Sequence, residues 1–204
     1  MTAPNFPKHD PAEAEFWNLR FDAAFTPWDQ GGVPASLQSW ATRASGNPAP
    51  RVLIPGCGSA YEVRFLAGLG WQVSAIDFSP AAVAQAKRVL GPLAGHVHLA
   101  DFFADDLAGA PFDLIYERAF LCALPRRLWR AWAVRVAELL KPGGSLAGFF
   151  FSDEGEKGPP FGLHDGELEA MLQTHFTRRQ KRRPTDSVPV FAGKESWQVW
   201  ERNA

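Results

Sequence analysis

Short apolar runs alternate with amphipathic stretches along most of the chain. The apolar runs are short enough for buried strands, which are predicted at 51–54, 71–76, 96–100, 113–116 and 145–151. Helical periodicity and helix boundary signals predict helices at 13–25, 34–45, 59–69, 80–90, 125–140 and 165–174. Because parallel strands need helical crossover connections, this alternation predicts an α/β fold with a mostly parallel sheet and helices on both faces.

The last part of the chain has a different pattern, in which apolar and polar side chains alternate. Residues 176–181 and 196–201 are therefore predicted as strands that pair with each other antiparallel. A basic run at 178–183 overlaps the first of them. Charged side chains are common on exposed sheet edges, so an edge strand is the favoured interpretation, and an RNA-binding stripe is the weaker alternative.

Length and composition favour one domain over 1–204. The chain is 46% hydrophobic, and its N-terminus at 1–12 is rich in Pro and polar groups and is expected to be flexible. A net charge of −1 gives no sign of a nucleic acid or a membrane as partner. Two cysteines make no disulfide framework, and neither a signal peptide nor a spanning apolar run is visible, so a cytoplasmic protein is expected.

Candidate ligand-binding groups follow the predicted strands, at the edge where open α/β sheets bind their ligands. Gly56 and Gly58 come after the first strand and allow a sharp turn and close approach of the backbone to a ligand. Alone this signal is weak, because an ordinary strand–helix turn gives the same pattern. The second strand ends at Asp77, whose two carboxylate oxygens match the vicinal hydroxyls of a ribose. A helix cap is the alternative role, but Ser79 can supply that cap.

The third strand ends at Asp101-Phe102, where a carboxylate and an aromatic ring suit the edge and the face of an adenine. Core packing is the equally open alternative for Phe102. A ribose and an adenine occur in both NAD and S-adenosylmethionine. A bound pyrophosphate would favour the full glycine fingerprint, which is incomplete here, so the sequence favours the methyl donor.

Longer motifs resemble the thiopurine S-methyltransferase family, and more closely its thiol and halide methyltransferase branch within the class I S-adenosylmethionine-dependent enzymes. The matching segments follow the family order over most of the chain. They are Phe16-Trp17, Thr26-Pro27-Trp28-Asp29-Gln30-Gly31, Val52-Leu53-Ile54-Pro55-Gly56-Cys57-Gly58, Asp77-Phe78-Ser79, Phe112-Asp113-Leu114-Ile115-Tyr116-Glu117-Arg118, Leu139-Leu140-Lys141-Pro142-Gly143-Gly144 and Gly158-Pro159-Pro160-Phe161.

The resemblance implies a Rossmann-like, seven-stranded, mostly parallel sheet whose last strand is antiparallel, with residues 13–45 as a helical lid over the cofactor. It implies S-adenosylmethionine as methyl donor and S-adenosylhomocysteine as product. The cofactor-binding positions that it implies are Trp17, Trp28, Gly56, Gly58, Asp77, Phe78, Asp101, Phe102 and Arg118. Glu117 and Arg118 match family residues near the reacting groups and are the candidate catalytic pair. A purely structural ion pair between the two is the alternative.

Four residues are predicted to line the acceptor pocket: Phe120, Cys122, Phe151 and Phe161. Such an apolar pocket suits a small, soft nucleophile, namely a thiol, a thiopurine-like compound, sulfide or a halide. The plant-type relatives look to have a tyrosine where this chain has Phe151, so the acceptor class is the part of the function that the resemblance defines least.

Other functions stay open beside this one. They are methylation of another small molecule or a metalloid oxyanion, an NAD(P)-dependent reductase, and a non-catalytic protein that binds S-adenosylmethionine. No metal is expected, because the five histidines show no ligand spacing. The family resemblance favours a monomer. A small-molecule acceptor is expected, with neither nucleic acid nor membrane as partner.

Overall fold

A computed structural model describes residues 4–44 and 49–204, which form one seven-stranded sheet flanked by helices. The strands are β1 (Arg51–Pro55), β2 (Gln72–Asp77), β3 (Val97–Leu99), β4 (Phe112–Arg118), β5 (Leu140–Phe151), β6 (Phe176–Arg182) and β7 (Glu195–Arg202). The helices are α1 (Ala14–Asp22), α2 (Ala35–Arg43), α3 (Tyr61–Gly68), α4 (Pro80–Leu90), α5 (Trp129–Leu139) and α6 (Glu167–Leu172). The predicted end of the second helix, with its Gly46-Asn47-Pro48 signal, lies outside the described residues.

The strand order is β3-β2-β1-β4-β5-β7-β6. Strands β1 to β5 pair parallel, whereas β7 is antiparallel to both β5 and β6. The predicted α/β class, the seven strands and the antiparallel last strand are therefore confirmed. Since the chain crosses over between β3 and β4, the carboxyl ends of the two strands at the middle of the sheet, β1 and β4, open into a crevice.

Two strand boundaries differ from the prediction by two residues or more. β5 begins at Leu140 instead of residue 145, because Leu140 pairs with Phe112 before the register shifts and Ser145 pairs with Leu114. The Lys141-Pro142-Gly143-Gly144 segment is thus an irregular stretch within the strand rather than a turn before it. β4 continues two residues beyond the predicted end, so that Glu117 and Arg118 belong to the strand.

The two faces of the sheet carry separate hydrophobic cores. On β4, Ile115 belongs to the core beneath α5, whereas Leu114 and Tyr116 belong to the core beneath α3 and α4. This alternation is the period of two expected for a strand buried on both faces. It matters for the site, because it sends neighbouring side chains at the end of β4 in opposite directions.

The basic run lies on β6, at the outer edge of the sheet. Arg178 pairs with Glu169 at 2.8 Å, and Arg179 pairs with Glu201 at 2.8 Å. The guanidinium of Arg182 lies 5.6 Å from the centre of the Trp197 ring. These contacts support the interpretation of the run as a charged edge strand.

Candidate active site

A cavity of about 420 Å³ lies at the carboxyl ends of the strands, between the loops that follow them and the N-terminal segment. Most of the residues predicted from the sequence line this one cavity. They are Trp17, Trp28, Gly56, Gly58, Asp77, Phe78, Asp101, Phe102, Arg118, Phe120 and Cys122. The side chains of Glu117, Phe151 and Phe161 do not line it and instead border a much smaller gap behind its wall.

The glycine loop after β1 needs its glycines for two reasons. Both Gly56 and Gly58 have a positive φ, of +57° and +50°, which an L side chain rarely adopts. A Cβ atom on Gly56 would also overlap the ring of Phe120. The missing side chain therefore makes room for a protein ring, and the loop can run close to the cavity.

Asp77, at the end of β2, holds two loops together. Its Oδ1 accepts a hydrogen bond from the amide of Ser79 at 2.9 Å, and its Oδ2 accepts one from the amide of Gly58 at 3.1 Å. Burial raises the pKa of Asp77 to about 6, although these amides favour the charged form. Ser79 Oγ caps α4 by accepting from the amide of Ala82 at 3.2 Å. The ribose-binding role of Asp77 stays a prediction.

Asp101 and Phe102 follow β3 and both face the cavity. Asp101 Oδ1 accepts from the amide of Phe103 at 2.8 Å, which fixes the turn. The ring of Phe102 is buried and packs edge-on against Phe120, with 5.2 Å between the ring centres. Phe102 is thus a core residue that also borders the cavity, and its contact with adenine stays a prediction.

The N-terminal segment lines one side of the cavity and is attached by polar contacts. Asn18 Oδ1, on α1, accepts from Ser79 Oγ at 2.6 Å, and Asp29 accepts from Ser59 Oγ at 2.5 Å. The rings of Trp17 and Trp28 meet edge to face, 5.5 Å apart. Both tryptophans therefore belong to a part of the cavity wall that is attached to the loops after β1 and β2.

Glu117 and Arg118 point to opposite faces of β4. Glu117 Oε1 accepts from the amides of Phe120 and Leu121, at 2.7 and 3.2 Å, and burial raises the pKa of Glu117 to about 7. Arg118 Nη1 donates to Glu195 at 3.1 Å and lies against the cavity. The alternative of an ion pair between Glu117 and Arg118 is wrong, because their side chains project from a strand in opposite directions.

The acceptor residues predicted from the sequence divide into two groups. Phe120 and Cys122 line the cavity, whereas Phe151 packs against Phe191 behind that wall, with 5.4 Å between ring centres. Phe161 donates its amide to the carbonyl of Cys122 at 2.7 Å. The loop after β5 reaches the cavity with Gly158, Pro159 and Pro160, and the loop before β7 reaches it with Val190 and Phe191.

Sequence reasoning missed two polar residues in the cavity wall. Glu62, in the first turn of α3, is buried, and burial raises its pKa to about 7. The hydroxyl of Tyr116 is buried without a hydrogen-bond partner among the described residues. A signal was present for Glu62, because it directly follows Tyr61, where the third glycine of a dinucleotide fingerprint would be expected. Tyr116 gave none, because it reads as one more apolar residue of a strand.

The strand order, the antiparallel β7 and a cavity with carboxylates after β2 and β3 define a class I S-adenosylmethionine-dependent methyltransferase fold. Solved structures support the fold. One is the 1,6-didemethyltoxoflavin-N1-methyltransferase of Burkholderia thailandensis with S-adenosylhomocysteine bound, at a TM-score of 0.70 and 17% identity, covering 98% of this chain and 94% of the other. A TehB-like methyltransferase from Corynebacterium glutamicum gives 0.64 and 18%, covering 95% and 100%.

Residues 12–203 match the sequence model of the thiopurine S-methyltransferase family, and the chain belongs to that family. It is 34% identical over 161 residues to probable thiol methyltransferase 2 of Arabidopsis thaliana, covering 76% of this chain and 70% of the relative. It is 29% identical over 199 residues to thiocyanate methyltransferase 1 of the same plant, covering 95% and 87%. With the thiopurine S-methyltransferase of Vibrio cholerae the identity is 29% over 184 residues, covering 82% and 84%.

The chain is accordingly an enzyme that uses S-adenosylmethionine as methyl donor. The cavity suits this donor, because buried carboxylates and an unpartnered hydroxyl offer hydrogen bonds to a polar ligand of its size. None of the helices in the described part of the chain has the length and apolar character needed to cross a membrane.

Proposed function

We propose that the enzyme transfers the methyl group to the sulfur of a small, apolar thiol or a similarly soft nucleophile. The observation that carries this proposal is the composition of the wall contributed by the loops after β4, after β5 and before β7. The side chains there are apolar or weakly polar, namely Phe120, Cys122, Ala123, Leu124, Leu128, Pro159, Pro160, Val190 and Phe191. Among the described residues these loops bring no histidine and no carboxylate to the cavity.

Such a wall suits an acceptor that needs little chemical activation. A free thiol with a pKa of about 8.5 is a few per cent ionised at neutral pH and is intrinsically nucleophilic. An alcohol or a protonated amine would need a base in contact with it. Burial raises the pKa of the Cys122 thiol well above its usual value, so this residue contributes a neutral surface and no charge.

The bound donor supplies an activated methyl group on a positively charged sulfur. The contribution of the protein is to align the acceptor with that carbon and to exclude water, which leaves a soft anion poorly solvated and reactive. We assign the exclusion of water to the cover formed by Trp17 and Trp28. Their attachment through Asn18 and Asp29 to the loops after β2 and β1 supports this assignment.

We place the nucleoside of the donor at the ends of β2 and β3, with Asp77 at the ribose and Asp101 and Phe102 at the adenine. Phe78 and the Gly56–Gly58 loop would border it. The support is that these residues line one cavity and follow successive strands. Glu117 has no catalytic role in this scheme. Its carboxylate accepts hydrogen bonds from two amides behind the cavity wall and supports the loop after β4.

We further propose a monomer that works in a reducing compartment, the cytoplasm. The described residues include four large exposed apolar side chains, which stand at separate places along the chain: Leu69, Leu99, Val134 and Val190. Cys57 and Cys122 are both free and buried, which agrees with reducing conditions.

The test is the formation of S-adenosylhomocysteine with a panel of acceptors at equal concentration. The panel contains thiophenol, a short alkyl thiol, sulfide, thiocyanate, iodide, phenol, aniline and tellurite. We expect the apolar thiols to give the highest kcat/KM, and thiophenol to exceed phenol. The rate with a thiol should rise with pH as that thiol ionises, so acceptors of different pKa should give displaced profiles. Turnover with phenol, aniline or tellurite alone would overturn the proposal.

A further inference from the structure

One segment of the apolar wall depends on its neighbours for its position. Residues 158–160 line the cavity, and two of the three are prolines, which have no amide hydrogen to donate. The anchors lie just after them in the chain. Phe161 donates its amide to the carbonyl of Cys122 at 2.7 Å, and Leu163 donates its amide to the carbonyl of Phe151 at 3.0 Å. The segment is therefore fixed by the residues that follow it.

Arg126, three residues before α5, holds the same stretch from the side of the loop after β4. Its Nη1 donates to the carbonyl of Gly162 at 2.5 Å, and its Nη2 donates to Glu167, the first residue of α6, at 2.6 Å. Charge-assisted hydrogen bonds are roughly twice as strong as neutral ones. One side chain thus connects the loop after β4 to the loop after β5 and to α6.

The guanidinium of Arg126 has a defined orientation. It lies 4.4 Å from the centre of the Trp129 ring, which is buried. Its partner is held as well, because Glu167 Oε2 accepts from the amide of His164 at 3.0 Å. A planar guanidinium stacked on a ring and paired with a fixed carboxylate has its remaining N–H groups in fixed directions, one of which points to Gly162.

The stretch from 158 to 162 has little room to move by itself. A Cβ atom on Gly162 would overlap the backbone of Asp153, just after β5, and a Cβ atom on Gly158 would overlap the ring of Phe161. Close-packed groups transmit a displacement to their neighbours instead of absorbing it. A shift of Gly162 therefore moves the prolines that face the cavity.

We propose that Arg126, paired with Glu167, is a positioning residue for the methyl acceptor. Arg126 does not line the cavity itself and acts through Gly162 on residues 158–160, which do. This role rests on the proposed function, because it assigns that segment to acceptor binding. A bulky acceptor that packs against the segment depends on its position, whereas a very small acceptor contacts little of the wall.

A purely structural role for Arg126 makes a different prediction. The loss of its hydrogen bonds would then lower the free energy of unfolding and leave the kinetic constants of the folded enzyme unchanged. A positioning role instead raises KM for a bulky thiol and spares sulfide, which has a single heavy atom. Donor affinity is a second comparison, since the nucleoside is assigned to the ends of β2 and β3.

The experiment measures kcat and KM for thiophenol and for sulfide at saturating S-adenosylmethionine. Binding of S-adenosylhomocysteine by calorimetry and thermal unfolding are measured on the same proteins. These are the wild type, Arg126→Met, Arg126→Lys, Glu167→Gln and the control Arg130→Met. Methionine keeps an unbranched apolar stem over Trp129 and removes every N–H group. Arg130 is an exposed arginine on α5, so its replacement is a matched loss of charge.

Arg126→Met should raise KM for thiophenol about 5- to 10-fold, the range of one lost aromatic contact, and lower kcat less than about threefold. KM for sulfide and the affinity for S-adenosylhomocysteine should stay within about twofold. Arg126→Lys should raise KM for thiophenol less, because an ammonium keeps the charge beside Glu167 without the second directed nitrogen. Glu167→Gln should raise it about 2- to 4-fold, and Arg130→Met should match the wild type.

Equal increases of KM for the two acceptors in Arg126→Met, or an equal loss of donor affinity, would overturn the positioning role. An unchanged KM for thiophenol with a lower melting temperature would overturn it too. If Arg126→Met does not fold, Arg126→Lys and Glu167→Gln carry the same comparisons. All these results keep the proposed function as long as the wild type methylates thiophenol. A wild type that methylates sulfide alone overturns the positioning role, and one that methylates neither overturns the proposed function as well.

Discussion

The two halves of the cavity differ in kind. The half formed by the loops after β1, β2 and β3 contains buried or partly buried carboxylates at Glu62, Asp77 and Asp101. Each of them lies on a helix, a strand end or a turn next to a strand. The half formed by the loops after β4, after β5 and before β7 is apolar and includes prolines and Phe191. The first half suits one ligand of defined hydrogen-bonding pattern, and the second suits several acceptors that share softness and size.

The largest expected effect is that of Asp77→Ala, in the polar half. The change removes the acceptor of the Gly58 and Ser79 amides as well as the proposed ribose contact. We expect the affinity for S-adenosylhomocysteine to fall by about 1.5–3 kcal/mol, the range of lost charge-assisted hydrogen bonds. Calorimetry measures this, and thermal unfolding shows how much of the loss comes from the loops. Unchanged affinity would assign Asp77 to loop structure alone.

Trp28→Ala should have the next largest effect, because Trp28 belongs to the cover over both halves. The ring is half-buried and contacts Trp17 and Phe21 edge to face. We expect kcat/KM for a thiol to fall about tenfold, as one well-packed aromatic contact is lost, with the melting temperature nearly unchanged. A large fall in the melting temperature would instead identify Trp28 as a core residue.

The buried carboxyls make the stability of the free enzyme depend on pH. Burial raises the pKa of Glu62 and of Glu117 from 4.5 to about 7, and that of Asp77 from 3.8 to about 6. The folded state therefore binds protons more tightly than the unfolded state, so this contribution is complete below the unfolded pKa values and is lost as the pH rises to about 7. We expect a melting temperature roughly 10 °C lower near pH 8 than near pH 5.5.

Glu117→Gln tests the part of that effect that lies outside the cavity. The amide oxygen can still accept from Phe120 and Leu121, but the side chain no longer ionises. The fall in melting temperature with pH should become smaller, and kcat/KM for a thiol should change by less than about threefold. A loss of activity with normal stability would show that Glu117 acts on the reaction after all.

The smallest expected effect concerns the apolar half. Cys122→Ser puts a hydroxyl into the wall near Phe191 and Phe120, which should raise KM for thiophenol about 2- to 5-fold. The matched control is Cys57→Ser, a buried thiol in the loop after β1, which should leave that KM unchanged. Equal effects of the two changes on KM would contradict the assignment of acceptor binding to the apolar half.

Features that depend on neighbouring residues could be predicted from the sequence, whereas features that depend on residues far apart in the chain could not. The order of strands and helices follows from local periodicity, and Asp77, Asp101 and Gly56 could be placed because they directly follow strands. The pairing of Leu140 with Phe112 could not be predicted from the sequence, since it depends on a register shift between distant segments. The partner of Arg118 is Glu195, 77 residues away, whereas the adjacent Glu117 points to the other face.

Side-chain direction is the other limit. Phe151 and Phe161 have the right composition for an acceptor pocket, but they lie behind the wall that Cys122, Pro159 and Pro160 form. Tyr116 resembles its apolar neighbours in a strand pattern, and only the surrounding structure shows that its hydroxyl lacks a partner among the described residues. Sequence patterns locate a residue on a strand, but they do not show which buried polar groups lack a hydrogen-bond partner in the folded chain.

The most direct test of this account is a crystal structure of the enzyme with S-adenosylhomocysteine. The nucleoside should lie in the polar half, with the ribose hydroxyls on Asp77 and the adenine beside Phe102, and the apolar half should stay open for the acceptor. A nucleoside found beside Cys122 and Phe191, or bound with Asp77 and Asp101 facing solvent, would contradict the division of the cavity on which the predictions for Asp77 and Cys122 depend.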